Sequence, residues 1–321
     1  LLDALLVIVG PTGVGKSEVA VDLVGRLRAE IISCDSRQIY REMDVGTAKP
    51  SPEVRNKAPH HLIDIASPRE VFSAAEFKRR AKPIIKRVQE ENRLPLLVGG
   101  SGLYIRAVVD GIFVGPGRDQ DLRARLREKE EREGRGSLYQ ELKRVDPAAA
   151  SHLHCHDERR VIRALEVYYL SGRPISSHQR QPPYSPLPST VMVGLRMERR
   201  ALYQLINRRV DAMMEEGLVE EVEGLLDKGY DQDLPSMQGL GYRQIVGYLK
   251  GKYSREEAVR LTKRDTRIFA KHQLSWFNKD SRIIWLDREK FPTSGEASQK
   301  IVEILLQKLP KVRELIHSSQ N

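Results

Sequence analysis

Apolar and polar positions follow two rhythms along the chain. An unbroken apolar run occurs at 5–9 (LLVIV), and a strand buried on both faces needs such a run, so it reads as a parallel strand inside a sheet. Strand-like segments follow at 30–35 (EIISCD), 94–98 (LPLLV), 190–195 (TVMVGL) and 282–286 (RIIWL). Helical spacing fills the intervals. Residues 16–28 put Val19, Ala20, Leu23 and Leu27 on one face. Residues 71–92 read as a helix with Pro83 as a kink or break. Further helices are expected from Leu103 and over 198–217, 218–229 and 294–309, and Ser254 with Glu257 forms a capping box opening one that runs to Asn278. Strands alternating with helices predict an α/β fold, a parallel sheet flanked by helices.

The rhythm changes at Gly115-Pro116-Gly117. Residues 119–177 carry only helical patterning, rich in Arg and Glu, and a proline-rich stretch at 181–188 (QPPYSPLP) closes them. The expected organisation is an α/β core from 1–116 and 190–321, with an all-helical insertion over 117–189. The tail, 317–321, is expected to fray.

Charge narrows the partners. The chain has 321 residues, 54 Lys and Arg against 44 Asp and Glu, and a net charge of +10. Residues 241–279 hold ten Lys and Arg against three Asp and Glu, so most of the excess sits there. Tyr242, Tyr248, Tyr253, Phe269, Trp276 and Phe277 interleave with it. Basic charge among aromatics suits single-stranded nucleic acid; a core face backed by a solvated face gives the same pattern. Two cysteines, Cys34 and Cys155, exclude a disulfide scaffold. No apolar run approaches the roughly 18 residues of a membrane span, and no secretory leader pattern precedes Leu5. A cytoplasmic location is expected.

Gly10-Pro11-Thr12-Gly13-Val14-Gly15-Lys16-Ser17 fits G-x-x-x-x-G-K-[ST] between a strand and a helix. Glycines let the backbone curl until successive amides face phosphate oxygens, the helix N-terminus adds partial positive charge, Lys16 supplies a cation, and the Ser17 hydroxyl suits magnesium. Asp35-Ser36-Arg37-Gln38 lies at the carboxyl end of the second strand, the edge that faces ligand in such sheets. Asp35 there fits a magnesium-ordering acid, a general base or a turn cap. Gly99-Gly100-Ser101-Gly102 sits at the end of the third strand, where Ser101 can bond a phosphate or a base, or simply close a turn. Arg159 and Arg163 lie one turn apart on a helix that Asp157 caps, which suits phosphate contacts or a solvated face. His152, His154, Cys155 and His156 precede that cap. No second Cys/His pair completes a tetrahedral set, so they read as a loop.

These segments together resemble the tRNA dimethylallyltransferase family (tRNA isopentenyl-diphosphate transferases). The resemblance rests on GPTGVGKS at 10–17, DSRQIYREMDVGTAKP at 35–50, PHHLID at 59–64, FSAAEFKRRA at 72–81, LPLLVGGSGLYIRA at 94–107, DERRVIRALEVYYLSGRP at 157–174, INRRVDAMMEEGLVEEV at 206–222, LPSMQGLGYRQ at 234–244 and TRIFAKHQLSWF at 266–277. It implies a P-loop NTPase-like core. The implied reaction moves a dimethylallyl group from dimethylallyl diphosphate to the exocyclic amine of the adenosine 3′ of the anticodon in tRNA, releasing diphosphate. A small-molecule or nucleotide kinase and a non-enzymatic RNA-binding module share the P-loop and are the competing readings. By the resemblance, Lys16, the loop amides and magnesium at Ser17 hold the leaving diphosphate, Arg209 adds a contact, and Asp35 takes the amine proton. It also assigns tRNA contact to Asp35, Ser36, Arg37, Gln38, Ser101 and Arg123, and to Arg159, Arg160, Val161, Ile162 and Arg163. The same holds for Gln238, Gly239, Leu240, Gly241, Tyr242 and Arg243, and for Lys271, His272, Gln273, Leu274, Ser275, Trp276, Phe277 and Asn278. The insertion would grip the anticodon stem-loop, and a monomer is expected. Ser17 and Ser101 stand where the family usually has Thr, keeping the hydroxyl, and HLHCHD replaces its more usual I-H-P-N-D.

Overall fold

A computed structural model describes residues 3–113, 115–179 and 189–316. The proline-rich run 181–188 and the tail 317–321 lie outside the described residues. The chain forms two compact units, Leu1–Val109 with Pro186–Asn321 and Asp110–Ser185.

The first unit is built on six strands: β1 (Leu5–Val9), β2 (Ala29–Ser33), β3 (His60–His61), β4 (Leu94–Val98), β5 (Thr190–Arg196) and β6 (Ile283–Asp287). Their order is β3-β2-β4-β1-β5-β6, and every pairing is parallel. β1, β2 and β4 are buried at all positions; β1 and β4 are accordingly continuous apolar runs, while β2 buries Glu30 and Ser33 among its apolar residues. Leu6, Ile8, Leu96 and Val193 pack with Val19 and Leu23 of helix Lys16–Arg26 and with Ile301 and Leu305 of helix Ser294–Lys308. Since all strands run one way, the loops after β1, β2 and β4 leave the same edge of the sheet. That edge carries the site.

One local expectation changes, and one short strand is added. Pro83 does not break its helix, which runs Ala74–Glu90 behind a Ser73 cap. Pro83 lies on the exposed side, so the Arg79 carbonyl that loses its partner faces water, while Phe77, Ala81, Ile85 and Val88 stay buried. β3 has only two residues, both histidines, and offers no periodicity to read. His60 pairs with Ile31, and His61 Nε2 meets the Glu30 carboxylate at 2.6 Å.

The second unit is helical: Gln120–Glu133, Ser137–Val145, Pro147–Ala150, Glu158–Ser171 and Ile175–Gln179. It begins at Asp110 rather than 117, because Phe113 stacks on His178 at 4.4 Å and the Pro116 carbonyl accepts from Arg163 at 3.0 Å. Its core holds Leu126, Leu138, Leu142, Val161, Ile162 and Leu165. Through this core runs Glu166, fully buried, which accepts two bonds from Arg123 (2.6 and 2.7 Å), one from Arg163 (2.6 Å) and one from the Asp119 amide (3.0 Å). Burial alone would raise its pKa, but these donors outweigh burial and hold it at about 2. Glu166→Gln is expected to destabilise this unit by about 3 kcal/mol, because it strands two partly buried guanidinium groups. Wild type keeps the contribution above the ordinary carboxylate pKa and loses it as pH falls from about 4.5 toward 2. Urea titrations at pH 7 and at pH 3 check both the size and the direction, since the two proteins should converge in acid.

Candidate active site

Glycine conformation shapes the loop after β1. Gly10, Gly13 and Gly15 have φ of 145°, 83° and 88°. A Cβ on Gly10 would lie 2.5 Å from the Leu195 carbonyl oxygen, so no side chain fits there. Helix Lys16–Arg26 starts directly after Gly15 and has no side-chain cap, leaving its first amides for an anion. Lys16 Nζ donates to the Gly10 and Pro11 carbonyls at 3.0 and 2.7 Å. Burial lowers its pKa to about 8; Asp35 pulls it back up and Arg209 pushes it further down. Lys16, Asp35 and Arg209 are therefore within electrostatic reach of one another. A part-buried ammonium that bonds two carbonyls keeps its third N–H for a bound anion, with Asp35 and Glu18 the carboxylates near it.

Helix Arg199–Glu215 brings in Arg209, 197 positions from the loop. One guanidinium nitrogen donates to Thr12 Oγ1 at 3.4 Å and another to the Thr47 carbonyl at 3.3 Å. Burial lowers its pKa against the pull of Asp35. The segment with Thr47 is held from elsewhere: the Glu221 carboxylate accepts the Asp44, Val45 and Gly46 amides at 2.7, 2.7 and 3.0 Å, and the Tyr242 hydroxyl at 2.6 Å. Sequence reasoning missed Glu221. It lies inside a matching run, but nothing in its spacing marks a carboxylate that anchors a loop 175 positions away.

Asp35 leaves the end of β2. Its Oδ1 accepts the Arg37 amide at 2.8 Å, and Oδ2 stays available for chemistry. Ser101 Oγ accepts the Ser36 amide at 3.0 Å, and the Ser101 amide donates to the Cys34 carbonyl at 3.2 Å. Ser101 thus ties the ends of β2 and β4 together. A third tie is Gln273, whose side chain accepts the Thr12 amide at 2.8 Å and donates to the Gly100 carbonyl at 3.0 Å. It links the anion loop to the loop after β4.

Several residues expected to touch RNA are committed inside the protein. Arg37 donates to the Pro235 carbonyl at 2.6 Å, and Gln38, buried, donates to the Thr47 and Ala48 carbonyls. Val161, Ile162, Tyr242, Gln273 and Phe277 are buried side chains, and Gly239 and Gly241 are buried backbone. A helix offers only one face outward, so a contiguous motif cannot bind RNA along its whole length. Arg123 and Arg163 are turned onto Glu166. Exposed candidates remain: Arg159 and Arg160 in the helical unit, and Gln238, Lys271, His272, Ser275, Trp276 and Asn278 in the other. Arg243 is exposed but paired with Asp265 at 2.8 Å, and Ser36, Leu240 and Leu274 are half-buried.

Residues 38–280 match the IPP transferase family model. The chain is 49% identical over 300 residues to a tRNA dimethylallyltransferase of Pelotomaculum thermopropionicum, covering 93% of this chain and 95% of that one. It is 41% identical to the tRNA isopentenylpyrophosphate transferase of Bacillus halodurans, whose crystal structure it matches with a TM-score of 0.71 over 98% of this chain and 99% of that one. A eukaryotic dimethylallyltransferase seen acting on tRNA shares the fold, with a TM-score of 0.81 at 24% identity over 99% of this chain and 81% of that one.

Proposed function

The chain belongs to the IPP transferase family, and from that premise we propose that it transfers a dimethylallyl group to tRNA, at the exocyclic amine of the adenosine 3′ of the anticodon. The donor is dimethylallyl diphosphate. One observation carries the site reading: a part-buried Lys16 at an uncapped helix N-terminus, with Arg209 and Asp35 in electrostatic reach.

In the reaction a C–N bond forms at the allylic carbon and the C–O bond to diphosphate breaks. The diphosphate leaves with the bonding pair. Lys16, the amides after Gly15 and Arg209 hold the negative charge that grows on it. The amine is a weak nucleophile, its lone pair delocalised into the ring. Asp35 Oδ2 orients the N–H and takes the proton as the new bond develops. Extrusion of the adenine from its stack brings it to this edge. The Ser17 hydroxyl is exposed at the mouth of the loop, a hard oxygen donor that fits magnesium beside a diphosphate. When bound, the ion supplies charge neutralisation to the leaving group.

Arg159 and Arg160 hold the RNA backbone from the helical unit. Lys271, His272 and Trp276 offer charge and a stacking face from helix Arg255–Phe277. Among the described residues no helix is long and apolar enough to cross a membrane. Both cysteines are free thiols, which suits a reducing cytoplasm, and the enzyme acts there as a monomer. Incorporation of radiolabelled dimethylallyl into unmodified tRNA tests the reading. Phosphoryl transfer from ATP with no label in RNA would establish the kinase instead.

Arg159→Ala with Arg160→Ala is expected to flatten log affinity for tRNA against log salt by about 1–2, one phosphate contact each. Arg163→Ala should leave the slope and lower stability, because that guanidinium serves Glu166. Filter binding across a salt series reads the slope.

A further inference from the structure

The loop in front of helix Glu158–Ser171 is not used by the site above. His154, Cys155 and His156 each direct one ligand atom there, and these atoms all lie within 4.8 Å of one another. His154 Nδ1 accepts the His156 amide at 3.2 Å and lies 3.9 Å from Cys155 Sγ. A backbone N–H can only donate, so Nδ1 is the unprotonated ring nitrogen, and its one in-plane lone pair faces the His156 amide. The two imidazoles are tilted with centroids 5.1 Å apart. In a tetrahedral zinc site, bonds of about 2.3 Å to sulfur and about 2.0 Å to nitrogen put those two ligands about 3.6 Å apart. The observed Nδ1–Sγ distance is already close to this, and binding would exchange the His156 amide for the metal at Nδ1 while the three ligand atoms draw together from within 4.8 Å.

We propose that His154, Cys155 and His156 form a zinc-binding site in the helical unit. Two imidazoles and a thiolate are the borderline-to-soft donors that favour zinc over magnesium or calcium. On binding, the Cys155 S–H proton leaves to solvent and the sulfur–zinc bond replaces it. A cavity of about 310 Å³ beside Cys155 and His156, also lined by Glu130, Glu131 and Glu158, leaves the fourth position to water or a carboxylate. Glu130 is committed to the Gly136 and Leu138 amides and the Ser137 hydroxyl, which leaves Glu131 and Glu158 as the carboxylates lining the cavity beside Arg135. Adjacent ligands in one short loop make a modest-affinity site. It would fix the segment from which Asp157 caps the helix bearing Arg159 and Arg160.

The test titrates chelator-treated full-length protein with zinc chloride by calorimetry and with cobalt chloride by absorbance. The expected result is one metal per chain, a cobalt–thiolate charge-transfer band, and d–d bands of tetrahedral intensity. Cys155→Ser should abolish the charge-transfer band, and His154→Ala or His156→Ala should each weaken zinc binding at least about tenfold. Circular dichroism of each variant checks that the fold is kept. Absence of the thiolate band in wild type would overturn the proposal. So would zinc binding that all three folded variants retain unchanged, which would place the metal elsewhere.

Discussion

Lys16→Ala is expected to lower turnover about a thousandfold while leaving tRNA affinity within a factor of about two. The ammonium is part-buried and held along the loop by the Gly10 and Pro11 carbonyls. Charge on the leaving diphosphate grows as the allylic C–O bond breaks, so the cation gains more in the transition state than in the ground state. Removing one such donor costs about 3–4 kcal/mol. The pKa of about 8 adds a second signature. A lysine lowered from its ordinary value loses its charge as pH rises through 8, so inorganic diphosphate should bind wild type progressively more weakly above that pH. The alanine variant should start weaker and lack this alkaline decline. Single-turnover transfer gives the first quantity and calorimetric titration of diphosphate with magnesium the second. Wild-type turnover in the variant would remove the anion-loop assignment.

The parts of this fold that could be read from sequence are those in which local chemistry dictates structure. β1 and β4 match the expected limits because their burial on both faces selects an unbroken apolar run. Helix Lys16–Arg26 begins where the glycine loop forces it to. What escaped depends on distant partners. β3 is two histidines held by β2, and the second unit starts early because Phe113 finds His178 across 65 residues of sequence. The site divides in the same way. Its anion loop is contiguous and was legible. Glu221 and the bracing role of Gln273 act on backbone amides far away in the chain, and no residue pattern announces such a bond. Treating motif runs as contact surfaces also overreached at Val161, Ile162 and Tyr242, where the helix turns the side chain inward.

Asp35→Asn is expected to reduce transfer at least about a hundredfold, with donor binding near neutral pH almost unchanged. Asparagine keeps the oxygen that can accept the Arg37 amide, so the turn after β2 should hold. What it removes is the proton acceptor at Oδ2. If Asp35 instead ordered magnesium, the same change would weaken donor and metal binding together, and calorimetry would show it at pH 7. The surrounding charges supply a further discriminator. Asp35 raises the Lys16 pKa against burial and against Arg209. Without the carboxylate, Lys16 should lose its proton at a lower pH. The alkaline decline in diphosphate affinity should then begin earlier in the variant than in wild type. A carboxylate remote from Lys16 would leave that decline where it was. An Asp35 that only caps the turn would still move the decline, because its charge acts on Lys16 in any role, but would leave the transfer rate and donor binding close to wild type. Single-turnover rates at pH 7, beside donor and magnesium titrations at the same pH, therefore separate the three: a base loses rate alone, a metal ligand loses rate and donor binding together, and a cap loses neither.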